Sequence, residues 1–400
     1  MNRQVWIVIL CAGAIGTLTM GVRHSLGIFL PPISAELHIG RETFALSMGL
    51  MNLIWGLGAP FTGALADRFG AGRVAALGGL FYAGGLVMMN QSGSGGDLIG
   101  AGLLLGVGLS GAGFSVTLGA VGRAAPPEKR STALGFASIG GSIGQFIALP
   151  YVQLLFNDFS WSFTLLILAA TAMLIVPLAR GVAGAPPAPE GAVRQSLSQA
   201  FHEARRHRGF WLLTAGFFVC GFHLAFVVVH LPAYLSDLGL PGWLAPSALT
   251  LVGLCNIVGT FGCGVLGNRY PKKSVLSLLY LLRAGIFLLF LVTPVTEVSV
   301  LAFGAAMGFL WLGTVPLTSS VVAQVFGPRY MSMLFGIVFL SHQIGGFLGA
   351  WLAGILYDAF GSYDAMWWLS VALGLASAAL HWPIDERPLA RQLDPGPAAA

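Results

Sequence analysis

Two adjacent residues that can carry positive charge, Arg23 and His24, lie deep inside a long apolar run from Val5 to Leu30. A charge in the hydrocarbon core of a membrane costs at least about 2.5–3.5 kcal/mol on insertion scales, so it needs a partner, a water-filled cavity or a function. We find no Asp or Glu inside this run or deep inside any other apolar run. A buried cation without a buried carboxylate predicts a binding site for an anion.

The other apolar runs contain cationic, titratable or neutral polar residues that suit the same chemistry. The guanidinium of Arg23 offers a planar fork of donors for a carboxylate. Histidine titrates near pH ~6.5 and can carry a coupling proton where no carboxylate can. We therefore predict proton coupling at His223, His230 or His342. The predicted substrate-binding residues are Arg23, His24, Asn52, Gln145, His223, His230, Asn256, Arg283, His342 and Gln343.

Each of these predictions has a structural alternative. Arg23 lies 18 residues, or about 27 Å, beyond Val5 and can instead snorkel toward lipid headgroups. The histidines can instead donate hydrogen bonds between packed helices. Arg283 lies near the middle of its run, where it can instead tie its helix to neighbouring carbonyl groups.

The composition is that of a polytopic membrane protein. Of 400 residues, 56% are hydrophobic and only 9% are charged, whereas soluble proteins average about 25%. The four cysteines lie in apolar runs without metal-ligand spacing, which favours simple packing roles. The sequence contains no nucleophile elbow, phosphate loop or ATP-binding domain. We therefore expect neither an enzyme nor a bound cofactor or metal.

Apolar runs separated by polar or Pro/Gly turns predict an all-α membrane protein with twelve transmembrane helices. Most of the runs approach or exceed the ~20 residues that cross a bilayer. We place the spans near 5–32, 43–66, 73–90, 97–122, 131–156, 161–180, 210–236, 244–267, 274–293, 296–325, 331–357 and 363–382.

The basic residues predict the orientation of these spans. Seventeen of the 20 Lys and Arg fall on the side that carries both termini, and only Arg41 falls on the other side. Positive charge marks the cytoplasmic side, so we expect cytoplasmic termini in a bacterial-type inner (plasma) membrane. The net charge of +5 reflects this bias and does not imply a nucleic-acid partner.

One long connection divides the chain. It runs from Gly181 to Gly209 and contains a helix-compatible stretch, Ser196 to Arg208, which follows a proline-rich start. We predict a flexible segment followed by a short surface helix. The predicted domains are an N-terminal six-helix bundle at 1–180, a cytoplasmic linker at 181–209, and a C-terminal six-helix bundle with its tail at 210–400.

The two halves are related at a constant offset of 201 residues. Leu134-Gly135 matches Phe335-Gly336, and Leu30-Pro31 matches Leu231-Pro232. A third, longer match pairs Gly63-Ala-Leu-Ala-Asp67-Arg68 with Gly264-Val-Leu-Gly-Asn268-Arg269. Three matches at one offset indicate an internal duplication.

The segment from Gly63 to Arg73 resembles the signature loop of the major facilitator superfamily, G-x-x-x-D-R-x-G-x-[KR]. The resemblance extends over twelve predicted spans, the central loop and a degenerate second copy of the signature. It implies two pseudo-symmetric bundles, substrate bound between them and transport by alternating access. It also implies a cytoplasmic gate, for which the expected residues are Gly63, Asp67, Arg68, Gly70, Arg73, Asn268 and Arg269.

An intramembrane arginine without carboxylates resembles the monocarboxylate and oxalate porters of that superfamily. Those carriers place their key arginine in the eighth helix, whereas the stretch from Asn256 to Gly264 contains none. We therefore expect the positive site at Arg23. The substrate is then an organic anion whose identity the sequence does not specify.

These observations predict a secondary active transporter that takes up a small organic anion, a carboxylate, together with H⁺. We expect a monomer in the lipid bilayer. The alternative is proton-driven efflux of a small amphipathic compound or drug, although the fifth span lacks the Gly-Pro signature of such antiporters. Other substrates, and a signalling or scaffold protein that transports nothing, are further alternatives.

Overall fold

A computed structural model describes residues 1–389 except 2, 30–31, 34–35, 39–40, 185–195 and 242. The predicted repeat match at Leu30-Pro31 and the proline-rich start of the central connection lie outside these described residues. Within them, all regular structure is helical.

The first half of the chain, residues 3–182, contains seven helices of eight or more residues among those described. Their bounds are α1, Arg3–Ser25; α2, Arg41–Phe69; α3, Ala71–Asn90; α4, Gly95–Ala112; α5, Phe114–Ala124; α6, Arg130–Asp158; and α7, Trp161–Met173, which short helical turns extend to Val182.

The second half, residues 208–381, repeats this order after a short connecting helix, α8. The bounds are α8, Leu197–Arg206; α9, Arg208–Asp237; α10, Leu244–Arg269; α11, Lys272–Val292; α12, Glu297–Leu310; α13, Thr314–Phe326; α14, Met331–Phe360; and α15, Asp364–His381. We call the end of the molecule that carries Arg3, Gly70 and Arg269 the terminal side.

Eleven stretches of the described chain are helical, long and apolar enough to cross a membrane. They match the first eleven predicted spans. The twelfth prediction falls on α15, whose two Trp and its terminal Asp364 and His381 lower its hydropathy. Twelve spans and cytoplasmic termini stay predictions. The fourth and tenth spans each consist of two helices, because the chain breaks at Gly113 and at 311–313.

Glycines determine how closely the helices of each half approach. In the first half, Gly144 of α6 faces the backbone of Thr17 and Gly21 of α1. The Thr17 hydroxyl also donates to the Gly140 carbonyl across the two helices, at 2.8 Å. Removing the side chain lets two membrane helices meet backbone to backbone.

The second half repeats this packing at the predicted offset. Gly345 of α14 faces the backbone of Phe218 and Phe222 of α9, which lie 201 residues after Thr17 and Gly21. Ser341 Oγ of α14 donates to the Thr214 carbonyl of α9 at 2.7 Å, so a hydroxyl–carbonyl bond again joins the pair, although the donor is on the other helix. The internal repeat is therefore present in the packing as well as in the sequence.

We expect Gly140→Ala to lower the melting temperature by several degrees, because an added Cβ would overlap the backbone of Gly13. Overpacking of this kind costs about 1–3 kcal/mol. Gly285→Ala is the matched control, since a Cβ there meets no atom within 4 Å. Equal melting temperatures for the two variants in the same detergent would contradict the assigned α1–α6 contact.

Candidate substrate-binding site

The guanidinium of Arg23 is directed at Asn52 on α2. Its Nε and Nη2 both donate to Asn52 Oδ1, at 3.0 and 2.7 Å. Asn52 Nδ2 in turn donates to the Met48 carbonyl at 2.9 Å, which fixes the amide with its oxygen toward the arginine. The partner of Arg23 is thus a neutral amide, and in the described part of the chain no carboxylate forms an ion pair with it.

The depth of this contact argues against snorkelling. Asn52 lies 11 residues, or about 16 Å, beyond the first residue of α2, Arg41. The guanidinium therefore points toward the middle of α2. It also lies 5.3 Å from the ring centroid of Trp55, one turn further along α2, which is a cation–π distance.

The second half supplies the other wall through α14. Gln343 Nε2 donates to the backbone oxygen of Asn52 at 3.2 Å, so the two halves touch directly beside Arg23. His342 Nδ1 lies 3.0 Å from Gln343 Oε1. Because that oxygen only accepts, Nδ1 carries the proton and Nε2 is the basic nitrogen.

Aromatic rings surround this polar group. Trp55 packs on Phe339 with ring centroids 4.9 Å apart. Phe339 stacks on His342 at 5.4 Å, and Phe217 of α9 lies 5.0 Å from the same imidazole. Arg23, Asn52, Trp55, Phe217, Phe339, His342 and Gln343 form one cluster, which we call the central cluster.

The structure thus brings together four of the predicted substrate-binding residues and separates others from them. His24 lies beside Arg23 in sequence, but its Nδ1 faces the Met20 carbonyl of its own helix at 2.7 Å. The side chain of Gln145 is half-buried, with no hydrogen bond to the described residues.

The two histidines of α9 make their contacts within the second half. His223 is fully buried, and its Nε2 lies 2.9 Å from the Ser370 carbonyl of α15. His230 lies between the Ala350 carbonyl at 2.8 Å and the Tyr363 hydroxyl at 3.2 Å. The His223 ring is therefore turned toward α15 of its own half.

Asn256 joins the halves at a second seam. Its Nδ2 donates to Ser142 Oγ of α6 at 2.9 Å, and its Oδ1 accepts from the backbone N–H of Leu312 at 2.9 Å. Leu312 lies in the break between α12 and α13, so Asn256 connects that break to the first half.

Arg283 satisfies the other end of the same break. It is fully buried, and its Nε donates to the Leu310 carbonyl at 3.0 Å, while Nη2 bonds to the carbonyls of Leu310 and Trp311. These are among the carbonyls that the end of α12 leaves without helical partners. The contacts match the structural alternative for Arg283 rather than substrate binding.

The expected gate is assembled on the terminal side of the central cluster. Asp67 accepts from the backbone N–H groups of Ser332 and Met333, at 3.3 and 2.9 Å, which begin α14. It also forms a buried ion pair with Arg123 of α5. Arg123 further donates to Ser332 Oγ at 3.0 Å, so both charges engage the opposite half.

Asn268 makes the equivalent contact in the other direction. Its Oδ1 accepts from the backbone N–H of Ser131 at 3.2 Å, and its amide nitrogen bonds to Thr132 Oγ1. Ser131 precedes Ser332 by 201 residues, as Asp67 precedes Asn268. Each half thus caps the first turn of a helix in the other half, once with a carboxylate and once with an amide.

The remaining predicted gate residues differ in placement. Gly63 faces the Ser332 backbone so closely that a Cβ would clash, and Gly70 has φ of 94° at the turn from α2 to α3. Arg68 is exposed and lies over the ring of Phe69 at 5.2 Å, so it does not pair with Asp67. Arg73 and Arg269 are also exposed.

Sequence reasoning missed Arg123, Ser332, Trp55 and Phe339. Arg123 could have been predicted as a partner of Asp67. It is a basic residue at the end of a helix, and Asp67 is the one acid of the signature loop that precedes it. The two rings carried no such signal, since aromatic residues are common in every span.

Comparison with known proteins finds relatives that match nearly the whole chain. The chain is 28% identical over 389 residues to monocarboxylate transporter 13 of Bos taurus, covering 94% of this chain and 88% of that protein. It is 28% identical over 397 residues to human monocarboxylate transporter 11, covering 94% and 82%. These relatives are transporters and not enzymes.

The fold is similar to that of solved transporters. The Escherichia coli fucose:proton symporter FucP in its outward conformation matches with a TM-score of 0.71 and 17% identity, over 95% of this chain and 99% of that one. The proton:xylose symporter XylE matches with a TM-score of 0.70 and 15% identity, over 94% and 95%. The family model of the Major Facilitator Superfamily matches residues 6–349 and 247–399. The resemblance of the signature loop is therefore confirmed: the chain belongs to the Major Facilitator Superfamily.

Proposed function

We propose that this protein is a secondary active transporter of a small organic carboxylate, coupled to H⁺ and operating by alternating access. The observation that carries the proposal is the pairing of Arg23 with the neutral oxygen of Asn52, at the point where Gln343 of the second half contacts Asn52. A part-buried arginine that pairs with none of the described carboxylates keeps its charge for an anionic ligand.

The geometry favours a carboxylate over other anions. Arg23 directs two adjacent donors, Nε and Nη2, at one oxygen, and the same two donors can form parallel bonds to the two oxygens of a carboxylate. A substrate carboxylate can replace Asn52 as the acceptor, since a charged acceptor forms stronger hydrogen bonds than an amide. The rings of Trp55 and Phe339 are available for the apolar part of the substrate. Relatives named monocarboxylate transporters support the same class.

His342 is the best candidate for the coupling proton. It belongs to the central cluster, and its neighbour Gln343 contacts Asn52 of the opposite half. Protonation at Nε2 would add a second positive charge near the bound anion, so substrate and proton would favour each other. His223 and His230 stay alternatives whose contacts lie within the second half.

Alternating access requires a closure that can form and break. The inter-half bonds of Asp67 and Asn268, together with Arg123, all lie on the terminal side of the central cluster. We propose that the described state is closed toward this side, and that the side faces the cytoplasm, as its excess of Lys and Arg indicates. Opening would break the two helix caps and expose the site there.

We expect carboxylates to stabilise the wild-type protein thermally and to lose this effect in Arg23→Gln. A ligand at 100 times its dissociation constant stabilises by about 2.7 kcal/mol, which a thermal-shift assay detects. The panel would hold small mono- and dicarboxylates, aromatic acids and cationic drugs. Stabilisation by cations alone, unchanged in Arg23→Gln, would favour the efflux alternative and leave Arg23 structural.

Asn52→Asp gives a sharper test of the same site. The new carboxylate would neutralise Arg23 without changing the side-chain volume, so we expect carboxylate affinity to fall at least tenfold, or about 1.4 kcal/mol. Gln91→Glu is the matched control, because it makes the same amide-to-acid change at an exposed turn. Equal carboxylate affinity in both variants would overturn the assignment.

Proton coupling predicts that His342→Gln flattens the dependence of carboxylate uptake on pH in proteoliposomes. His223→Gln and His230→Gln serve as comparisons, and we expect both to keep the wild-type profile. A profile that none of the three substitutions changes would refute coupling through these histidines.

The gate predicts opposite effects for Asp67→Asn and Asn268→Asp. The first leaves Arg123 buried without its partner, and breaking a buried pair costs about 3–5 kcal/mol, so the closed state should lose population. The second adds a carboxylate at the N-terminus of α6, which stabilises the cap. Spin labels at Lys129→Cys and Arg329→Cys, with the native cysteines replaced, would report the inter-half distance. We expect a longer distance only in Asp67→Asn, and identical distributions would contradict the gate.

A further inference from the structure

We propose that α8, the short helix between the two halves, is a docking surface for anionic phospholipid headgroups. This proposal does not depend on the nature of the transported substrate. It rests on where α8 is attached, which of its residues are exposed and how they are charged.

Residues at both ends of α8 stabilise it as a helix. Ser196 and Gln199 make a reciprocal capping box, with bonds of 2.7 and 3.2 Å between side chain and backbone. Such a cap satisfies two backbone N–H groups at the start of the helix. The last turn ends in Arg205 and Arg206, which suit the negative end of the helix dipole.

One face of α8 packs against the rest of the protein, and the side chain next to that face is exposed. Ala200 and Ala204 are buried, which defines the inner face. Phe201 lies about 60–100° around the helix from them and is 45% exposed. An exposed phenylalanine at the edge of an amphipathic helix is the residue type that enters the boundary between headgroups and acyl chains.

The hydrogen bond of Trp211 sets the depth of this edge. Trp211 lies in the first turn of α9, a membrane span, and is 49% exposed. Its indole N–H donates to the Arg205 carbonyl at 2.8 Å. Tryptophan at the end of a membrane span sits at headgroup level. The end of α8 is thereby held at the same level.

The charge around this edge is mainly positive, with Glu203 as the one acidic residue of α8. Arg205, Arg206 and Arg208 are all exposed, and none forms a salt bridge with the described residues. The three guanidinium groups are suited to contact lipid phosphates, and the neighbouring rings of Phe201 and Trp211 are suited to the acyl chains below them. Juxtamembrane basic residues bind anionic lipids in this way.

The test is lipid binding to the delipidated full-length protein in detergent, measured by native mass spectrometry. We expect phosphatidylglycerol to bind in preference to phosphatidylcholine with the same chains, and Arg205→Gln/Arg206→Gln to weaken that binding about tenfold or more. Arg3→Gln/Arg180→Gln is the matched control, because it removes the same charge from exposed positions on the same side. Equal loss in both double variants would overturn the proposal, since it would indicate a general charge effect.

Hydrogen exchange locates the contact independently. In nanodiscs, we expect the amides of Leu197–Arg206 to exchange more slowly with phosphatidylglycerol than with phosphatidylcholine, and Phe201→Ser to remove the difference. The melting temperature of each variant in detergent controls for folding. Exchange rates that do not depend on the lipid would refute the docking surface, as would protection that survives both Phe201→Ser and the double arginine variant.

Discussion

The architecture depends on how a positive charge is kept inside the membrane. Arg23 is held by the amide oxygen of Asn52 and the ring of Trp55, and none of the described carboxylates pairs with it. A neutral acceptor supports the guanidinium without removing its charge, which is the basis of the proposed anion site. Asn52 must in turn be fixed by Met48 and approached by Gln343 of the other half. The charge of Arg23 and the contact between the halves, from Gln343 to Asn52, therefore share one residue, Asn52.

The two halves meet through related contacts that differ in strength. Asp67 and Asn268 each cap a helix of the opposite half, and their partners are also separated by 201 residues. The first cap includes a buried ion pair with Arg123, whereas the second uses an amide and a hydroxyl. Since a carboxylate at a helix N-terminus gains from the helix dipole, the duplicated gate has one strong and one weak side. An asymmetric latch of this kind lets one contact release before the other.

Arginines inside the same fold take on different tasks according to what surrounds them. Arg23 faces a side-chain amide and an indole ring of α2, whereas Arg283 faces the carbonyls left open where α12 ends at Leu310. A broken membrane helix needs donors for those carbonyls, because lipid offers none. Asn256 supplies the matching acceptor for the N–H of Leu312 and joins the break to the first half. The broken tenth span is thus connected to the seam between the two halves, which the proposed alternating access would open.

The sequence by itself determined the helical membrane class, eleven of the spans, the duplication and the signature loop, because hydropathy and glycine spacing act locally along the chain. It also singled out Arg23, since an intramembrane charge is visible without a structure. Only the tertiary structure decided the partners: Arg123 for Asp67, the Ser370 carbonyl of α15 for His223, and helix-end carbonyls for Arg283. Helical periodicity limits which residues share a face. Which neighbouring helix that face meets depends on packing between segments that are 27 to 147 residues apart in these three cases, and no local pattern records it.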